Sequence, residues 1–307
     1  MITLSGNILS KDYRDCFLVE KQLPILIIGL PILLQDKTTG RNITWSSDSY
    51  LGIGCQPSDE ITVERLSGLG SIALQSRIAK SLSVQKARTK TKAEVFTPAW
   101  VCNRMNNELD AVWFGRPNVF NIPSEDDRTW VSTMDKIIFG DDRKHTWKAY
   151  VDSRRMEITC GEAPFITSRY DAATGKWIEL KDRIGMLDRK LRVVAENVEN
   201  EADYIKWSIR AVQSMYGYEY QGDNLLIGRI NMLMAWSENV EVFCGRSPVT
   251  AEIRRVSNII AWNLWQMDGI KACVPVTGER CWLRDWRAGG SGNGVKISYD
   301  SMRKDAV

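Results

Sequence analysis

Glu157-Ile-Thr-Cys-Gly-Glu-Ala-Pro-Phe165 and, about fifty residues later, Tyr216-Gly-Tyr-Glu-Tyr-Gln-Gly-Asp-Asn-Leu-Leu-Ile-Gly-Arg-Ile-Asn-Met-Leu233 decide how this chain is read. The first stretch sets an acid at the end of a predicted strand, then a small-residue turn. Gly161 allows the backbone to turn without a Cβ clash, and Ala163 keeps the approach open. The second sets another acid, Glu219, at the end of the next apolar segment, followed by Gly222 and a helix for which Asp223 is a natural N-cap. Asn263-Leu-Trp-Gln-Met-Asp-Gly-Ile270 repeats the pattern, with Asp268 just before a glycine. Three acids at the carboxyl ends of three successive strands define one rim of an open α/β sheet. Such a sheet binds nucleotide-type ligands there, and a carboxylate takes the ribose hydroxyls.

The rest of the chain agrees with an intracellular enzyme-sized protein. At 307 residues it can bury a real core, with one large domain and a smaller unit as the natural division. The net charge of +3 creates no global basic field. A local basic run does exist: Arg77, Lys80, Lys86, Arg88, Lys90 and Lys92 alternate with Ser, Thr and Gln. It reads either as a set of phosphate contacts for DNA or as a solvated helix face. Seven cysteines without a CxxC pair argue for free thiols in a reducing compartment. A single histidine, His145 in a polar loop, leaves no His-rich metal site, so no metal is expected. The apolar run 23–34 is too short to span a bilayer and is broken by Pro24, Gly29 and Pro31, so it reads as a buried strand or two. A cytoplasmic location without membrane contact is the expectation.

Turn signals and periodicity divide the chain into three. Residues 1–92 form a small β-rich unit over 1–60, plus a helical stretch 61–92 with Leu66, Ile72, Leu74, Ile78 and Leu82 on its apolar side. Residues 93–286 form an α/β domain, with helices over 98–112, 186–213, 223–236 and 250–262. Its strands fall near 155–159, 215–220 and 263–267. Residues 287–307, with Gly289 to Gly294, read as a flexible tail.

On these residues the chain resembles a known family. Glu94-Val-Phe-Thr-Pro98 is similar to the Phe-Thr-Pro element of adenine-N6 DNA methyltransferases, which folds over the methionine part of S-adenosylmethionine. Residues 157–163 resemble that family's Asp-Pro-x-Cys-Gly-x-Gly loop, with Glu157 for Asp, Ile158 for Pro and Ala163 for the last Gly. Thr159 to Asp171, Arg183 to Val194 and Ile259 to Gly269 resemble the short proteins called restriction endonuclease subunit M. The resemblance covers about residues 1 to 286 and implies a Rossmann-like methyltransferase sheet, smaller than a complete one. It also implies S-adenosylmethionine as cofactor, held by Phe96, Thr97, Pro98, Glu157, Thr159, Cys160, Gly161 and Ala163. Glu219 would take the ribose and Asp268 the adenine amine. DNA and a restriction-modification or phage-defence protein are the implied partners.

One departure divides the functional expectations. The family's Asn/Asp-Pro-Pro-aromatic motif, which accepts from the target amine and stacks on the flipped base, has no counterpart, since no Pro-Pro pair occurs. Asp285-Trp286 is the nearest substitute, either as a degenerate catalytic pair or as an ordinary strand end with a packed Trp. Two classes therefore stay open. One is an adenine-specific DNA methyltransferase. The other is a methyltransferase-like subunit without catalysis that binds cofactor, DNA or a protein.

Overall fold

The computed structural model describes residues 22–67, 74–92, 94–140, 142–288 and 293–304. In chain order they form α1 (Leu23–Leu33), α2 (Val63–Ser67), α3 (Leu82–Lys92), α4 (Ala99–Phe114), β1 (Asn121–Pro123), β2 (Trp130–Ser132), α5 (Trp147–Asp152), β3 (Arg155–Glu157) and α6 (Met186–Asn197). Then come α7 (Glu201–Gln213), β4 (Met215–Glu219), α8 (Gly222–Cys244), α9 (Thr250–Asn263), β5 (Leu264–Gln266), β6 (Trp282–Asp285), β7 (Val295–Ser298) and α10 (Tyr299–Lys304). The architecture is mixed α/β around a three-stranded parallel sheet ordered β3-β4-β5. Helices α6 and α7 make the first crossover and α8 and α9 the second, as parallel pairing requires.

The sheet is sealed by helices whose sequences bury more than one face. From Gly222 to Ser237 every residue of α8 is buried, so this helix is a core element rather than an amphipathic cover. Its Arg229 is fully enclosed. The guanidinium donates to the carbonyls of Leu33 and of Gln35 (3.0 Å), Leu264 (2.8 Å) and Ala261 (3.3 Å). It thus satisfies carbonyls that the ends of α1 and α9 leave open, and burial lowers its pKa to about 10.

The N-terminal expectation is corrected. Leu23–Leu33 is a helix that buries Ile25, Leu26, Gly29, Leu30 and Leu33, not strands, and residues 22–67 contribute isolated bridges rather than strands. A short apolar run does not reveal its period. Here Gly29 allows α1 to cross close to the core, because a β-carbon there would stand 2.7 Å from Leu233 Cδ2 and 2.9 Å from Ser257 Oγ. Residues 1–21, including Cys16, lie outside the described residues. The 61–92 helix is also interrupted: α2 and α3 flank a 3-10 turn at Arg77–Ala79. Leu66 and Leu74 are buried, but Leu82 is 73% exposed; Ile72 is outside the described residues. The C-terminal tail is not wholly flexible, since β7 pairs antiparallel with β6 and leads into α10. Residues 289–292 between them lie outside the described residues.

Candidate functional site

The loop after β3 has an unusual backbone. Thr159, Gly161 and Ala163 all adopt positive φ (47°, 54° and 63°). Glycine does this freely, whereas Thr and Ala each lose about 1–2 kcal/mol, so the surroundings must enforce the path. They do so with hydrogen bonds. Cys160 N–H donates to the Tyr218 carbonyl (2.8 Å) and Ala163 N–H to the Cys160 carbonyl (2.7 Å). The Glu157 carboxylate accepts from Ile166 N–H (3.1 Å). Across the sheet, Glu219 Oε2 accepts from Gly161 N–H (2.9 Å) while its Oε1 accepts from Gln221 N–H (3.0 Å). The acid ending β4 therefore binds the loop ending β3. A carboxylate accepts about four hydrogen bonds, so Glu219 keeps capacity for a ligand.

The element from Glu94 to Pro98 closes over this loop. A β-carbon on Gly161 would stand 3.6 Å from the Phe96 ring. The Arg77 guanidinium lies 5.3 Å from the Phe96 ring centroid, and Arg77 N–H donates to Glu162 Oε1 (2.6 Å). The result is a cavity of about 770 Å³ beside the carboxyl ends of the strands. Of the predicted residues, Phe96, Thr97, Glu157, Thr159, Cys160, Gly161 and Glu219 line it. Burial pushes the Glu157 carboxyl well up and the Glu219 carboxyl up, the latter against its two backbone donors. Burial likewise pushes the Cys160 thiol up, which makes it a packed wall rather than a nucleophile.

Three predicted cofactor residues stand outside the lining. Pro98 caps α4. Ala163 is buried against α8, where a β-carbon on Gly228 would approach its Cβ to 3.3 Å. Asp268 is a correction. Its Oδ1 accepts from Ile270 N–H and Lys271 N–H, both at 3.0 Å, and so closes its own turn. The residue in register with Glu219 is Gln266. Its side chain accepts from Thr44 N–H and donates to the Thr44 and Tyr220 carbonyls (2.9, 2.9 and 2.8 Å), strapping residues 44–46 across the rim. Glu94, Gln221 and Asn224 line the cavity unpredicted. In the sequence Glu94 stands only as the lead-in to Phe96, and Asn224 as the residue after an apparent cap.

Asp285-Trp286 is a second correction, because it lies at the opposite end of the sheet. β6 starts near the carboxyl end of β5, where Cys281 Sγ donates to the Gln266 carbonyl (3.6 Å). It ends near the amino end of β5, where buried Trp286 donates from Nε1 to Asn263 Oδ1 (2.6 Å). Asp285 there faces Arg154, just ahead of β3, at 3.9 Å. A strand running down the sheet delivers its last residues to the floor, roughly 15 Å from the rim for strands of this length.

The basic run is a third. Lys80 (7% exposed) and Arg88 (2%) are buried. Lys80 Nζ lies 3.1 Å from Asp223 Oδ2, and Arg88 pairs with Asp223 and Glu94. Asp223 is not an N-cap but the acid of this buried cluster, with its carboxyl held far below the usual range by Lys80 and Arg88 against the opposing effect of burial. The Arg77 guanidinium packs over the Phe96 ring and donates to Thr89 Oγ1 (3.3 Å). Lys86 and Lys90 are exposed; the Lys92 side chain lies outside the described residues. A different basic surface exists near the floor. A cleft of about 690 Å³ is lined by Arg143, Lys148, Lys206, Arg210 and Arg255, with Asp152 as the acid among its described lining residues. The Lys148 ammonium lies 5.4 Å from the ring centroids of both Trp147 and Trp207.

Among the described residues, no cluster of His, Cys, Asp and Glu is suited to hold a metal ion, and no helix is long and apolar enough to cross a membrane. No family model matches the chain, and no curated protein and no solved structure matches it.

Proposed function

We propose that the rim cavity binds S-adenosylmethionine and that the protein is a methyltransferase-like cofactor-binding protein whose Asp285-Trp286 pair takes no part in chemistry. One observation carries this reading. Glu219 reaches from the end of β4 to Gly161 in the β3 loop, inside a cavity that Phe96 walls. That arrangement brings the Phe-Thr-Pro element, the glycine turn and the ribose-type acid around one volume large enough for a nucleoside. Glu94, Glu157 and Glu219 supply acceptors for ribose hydroxyls and cationic groups.

Isothermal calorimetry with S-adenosylmethionine and S-adenosylhomocysteine tests the reading. Saturable binding of both is expected, and a folded protein that binds neither removes it. Tritiated-methyl transfer to unmethylated DNA is expected to stay at background for the isolated chain. Transfer abolished in both Asp285→Ala and Trp286→Ala would restore the pair as catalytic.

DNA, the partner that the resemblance implies, has a separate basis in the floor cleft, where five cations face one carboxylate. Replacing exposed Lys148, Lys206 and Arg255 by Ala should weaken duplex binding. Each phosphate that is no longer neutralised should lower the salt slope by about 0.9. Duplex binding that is indifferent to these changes, or that depends on Lys86 and Lys90 instead, removes the cleft as the DNA-binding surface.

A further inference from the structure

The outward face of α4 carries a stripe of aliphatic side chains that the fold leaves open. Met105 and Leu109 are 47% and 45% exposed, and Val112 is 86% exposed. They line a groove of about 500 Å³ together with Met156 and Ile158, at the end of β3, and Phe165 and Met186. Among the described residues β3 pairs with β4 alone, so the groove lies beside an open sheet edge. Single exposed aliphatics are ordinary. A continuous apolar groove beside an open strand edge marks a surface that another chain covers.

The charges on α4 say which chain. The helix has three charged residues. Asp110 is buried and pairs with Arg189 (2.6 Å). Arg104 and Glu108 are exposed, one turn apart on one flank of the stripe. Reversed end for end, this surface nearly repeats itself. About the level of Asn106 and Asn107, Val101 exchanges with Val112, Met105 with Leu109 and Arg104 with Glu108. Two such helices laid antiparallel across a two-fold axis set aliphatic side chains on aliphatic side chains. Each flank then meets the same flank of the other helix, which brings Arg104 of each copy to Glu108 of the other. A self-complementary surface of this kind fits a second copy of the chain, whereas a foreign partner needs no such symmetry. We propose that the α4 groove is a homodimer interface in which two α4 helices pack antiparallel and the Arg104–Glu108 contact is made twice. The groove shares Glu157, Ile158 and Phe165 with the rim cavity, so the second copy stands beside that cavity. The assignment holds whether or not the cavity takes S-adenosylmethionine.

Sedimentation equilibrium on the full chain tests it, with folding of each variant checked by circular dichroism. Wild type should sediment at twice the chain mass at micromolar concentrations. Arg104→Glu and Glu108→Arg each set like charges against one another at both contacts, and each should weaken dimerisation by about tenfold or more. The double variant Arg104→Glu/Glu108→Arg restores opposite charges and should recover most of that loss. Val112→Lys, which alters neither charge, should weaken the dimer in its own right. A wild-type chain that stays monomeric throughout would overturn the proposal. So would a dimer indifferent to both single charge reversals, which would be built on another face. Single losses that the double variant does not recover would overturn the antiparallel pairing.

Discussion

At the scale of single residues, the acids near the rim divide into those committed to the fold and those facing the cavity. Asp223 is fully buried and holds Lys80 and Arg88 while accepting from the Tyr50 hydroxyl (2.6 Å). Asp223→Ala leaves two cations without their shared partner, so a stability loss of about 3–5 kcal/mol is expected in urea denaturation. A loss within 0.5 kcal/mol or so, typical of a surface change, would contradict the buried cluster. Its folded pKa is depressed, so its contribution is present above the unfolded value of about 3.9 and is lost as pH falls from there through the folded value. Glu157 behaves in the opposite sense. Burial raises its pKa well above the ordinary value, so the folded state keeps the proton longer than the unfolded one. Its contribution to stability then falls as pH rises above about 4.3. Glu157→Gln should flatten that decline, seen as a urea midpoint less dependent on pH above about 4.3 than in wild type. Parallel profiles for the two proteins would contradict it.

At the scale of elements, close approaches decide where segments dock. Gly222 opens α8, and its N–H donates to the Trp45 carbonyl (3.1 Å). A β-carbon there would overlap the Thr44 carbonyl oxygen. Alanine would improve helix propensity by about 1 kcal/mol, but it must push the 44–46 strap off the rim. Gly222→Ala is therefore expected to lower thermal stability, and a rise would show that the strap yields freely.

The same elements show what a sequence reading reaches. The strands ending at Glu157 and Glu219, and the helices 186–213 and 250–263, have periodicity and turn residues that agree with their final packing. Residues 23–33 do not, because an apolar run of eleven positions is helix or strand depending on what packs against it. The direction of β6 is also illegible. Nothing local to Trp282–Asp285 states that it runs down the sheet, and that direction is what separates Asp285 and Trp286 from the cavity. The basic run misleads for a related reason. Composition shows that Lys80 and Arg88 are cations but not that Asp223, 143 and 135 residues away, claims them. Glu94 and Asn224 are illegible as cavity residues because nothing local to either states that the 94–98 segment and the start of α8 meet at the rim.

At the scale of the whole molecule, the two ends of the parallel sheet carry different surfaces. The rim holds the acid-lined cavity, strapped by residues 44–46 and closed by the Glu94–Pro98 element. The floor holds the basic cleft and the Asp285-Trp286 end of β6. The central claim is that ligand binding belongs to the rim. The most direct test is calorimetry with S-adenosylhomocysteine on wild type, Glu219→Ala and Asp285→Ala, with folding of each checked by circular dichroism. The account predicts that Glu219→Ala weakens binding by about tenfold or more, the loss expected for hydrogen bonds to a charged acceptor, while Asp285→Ala binds as wild type does. Binding abolished by Asp285→Ala and untouched by Glu219→Ala would place the ligand at the floor and contradict the account.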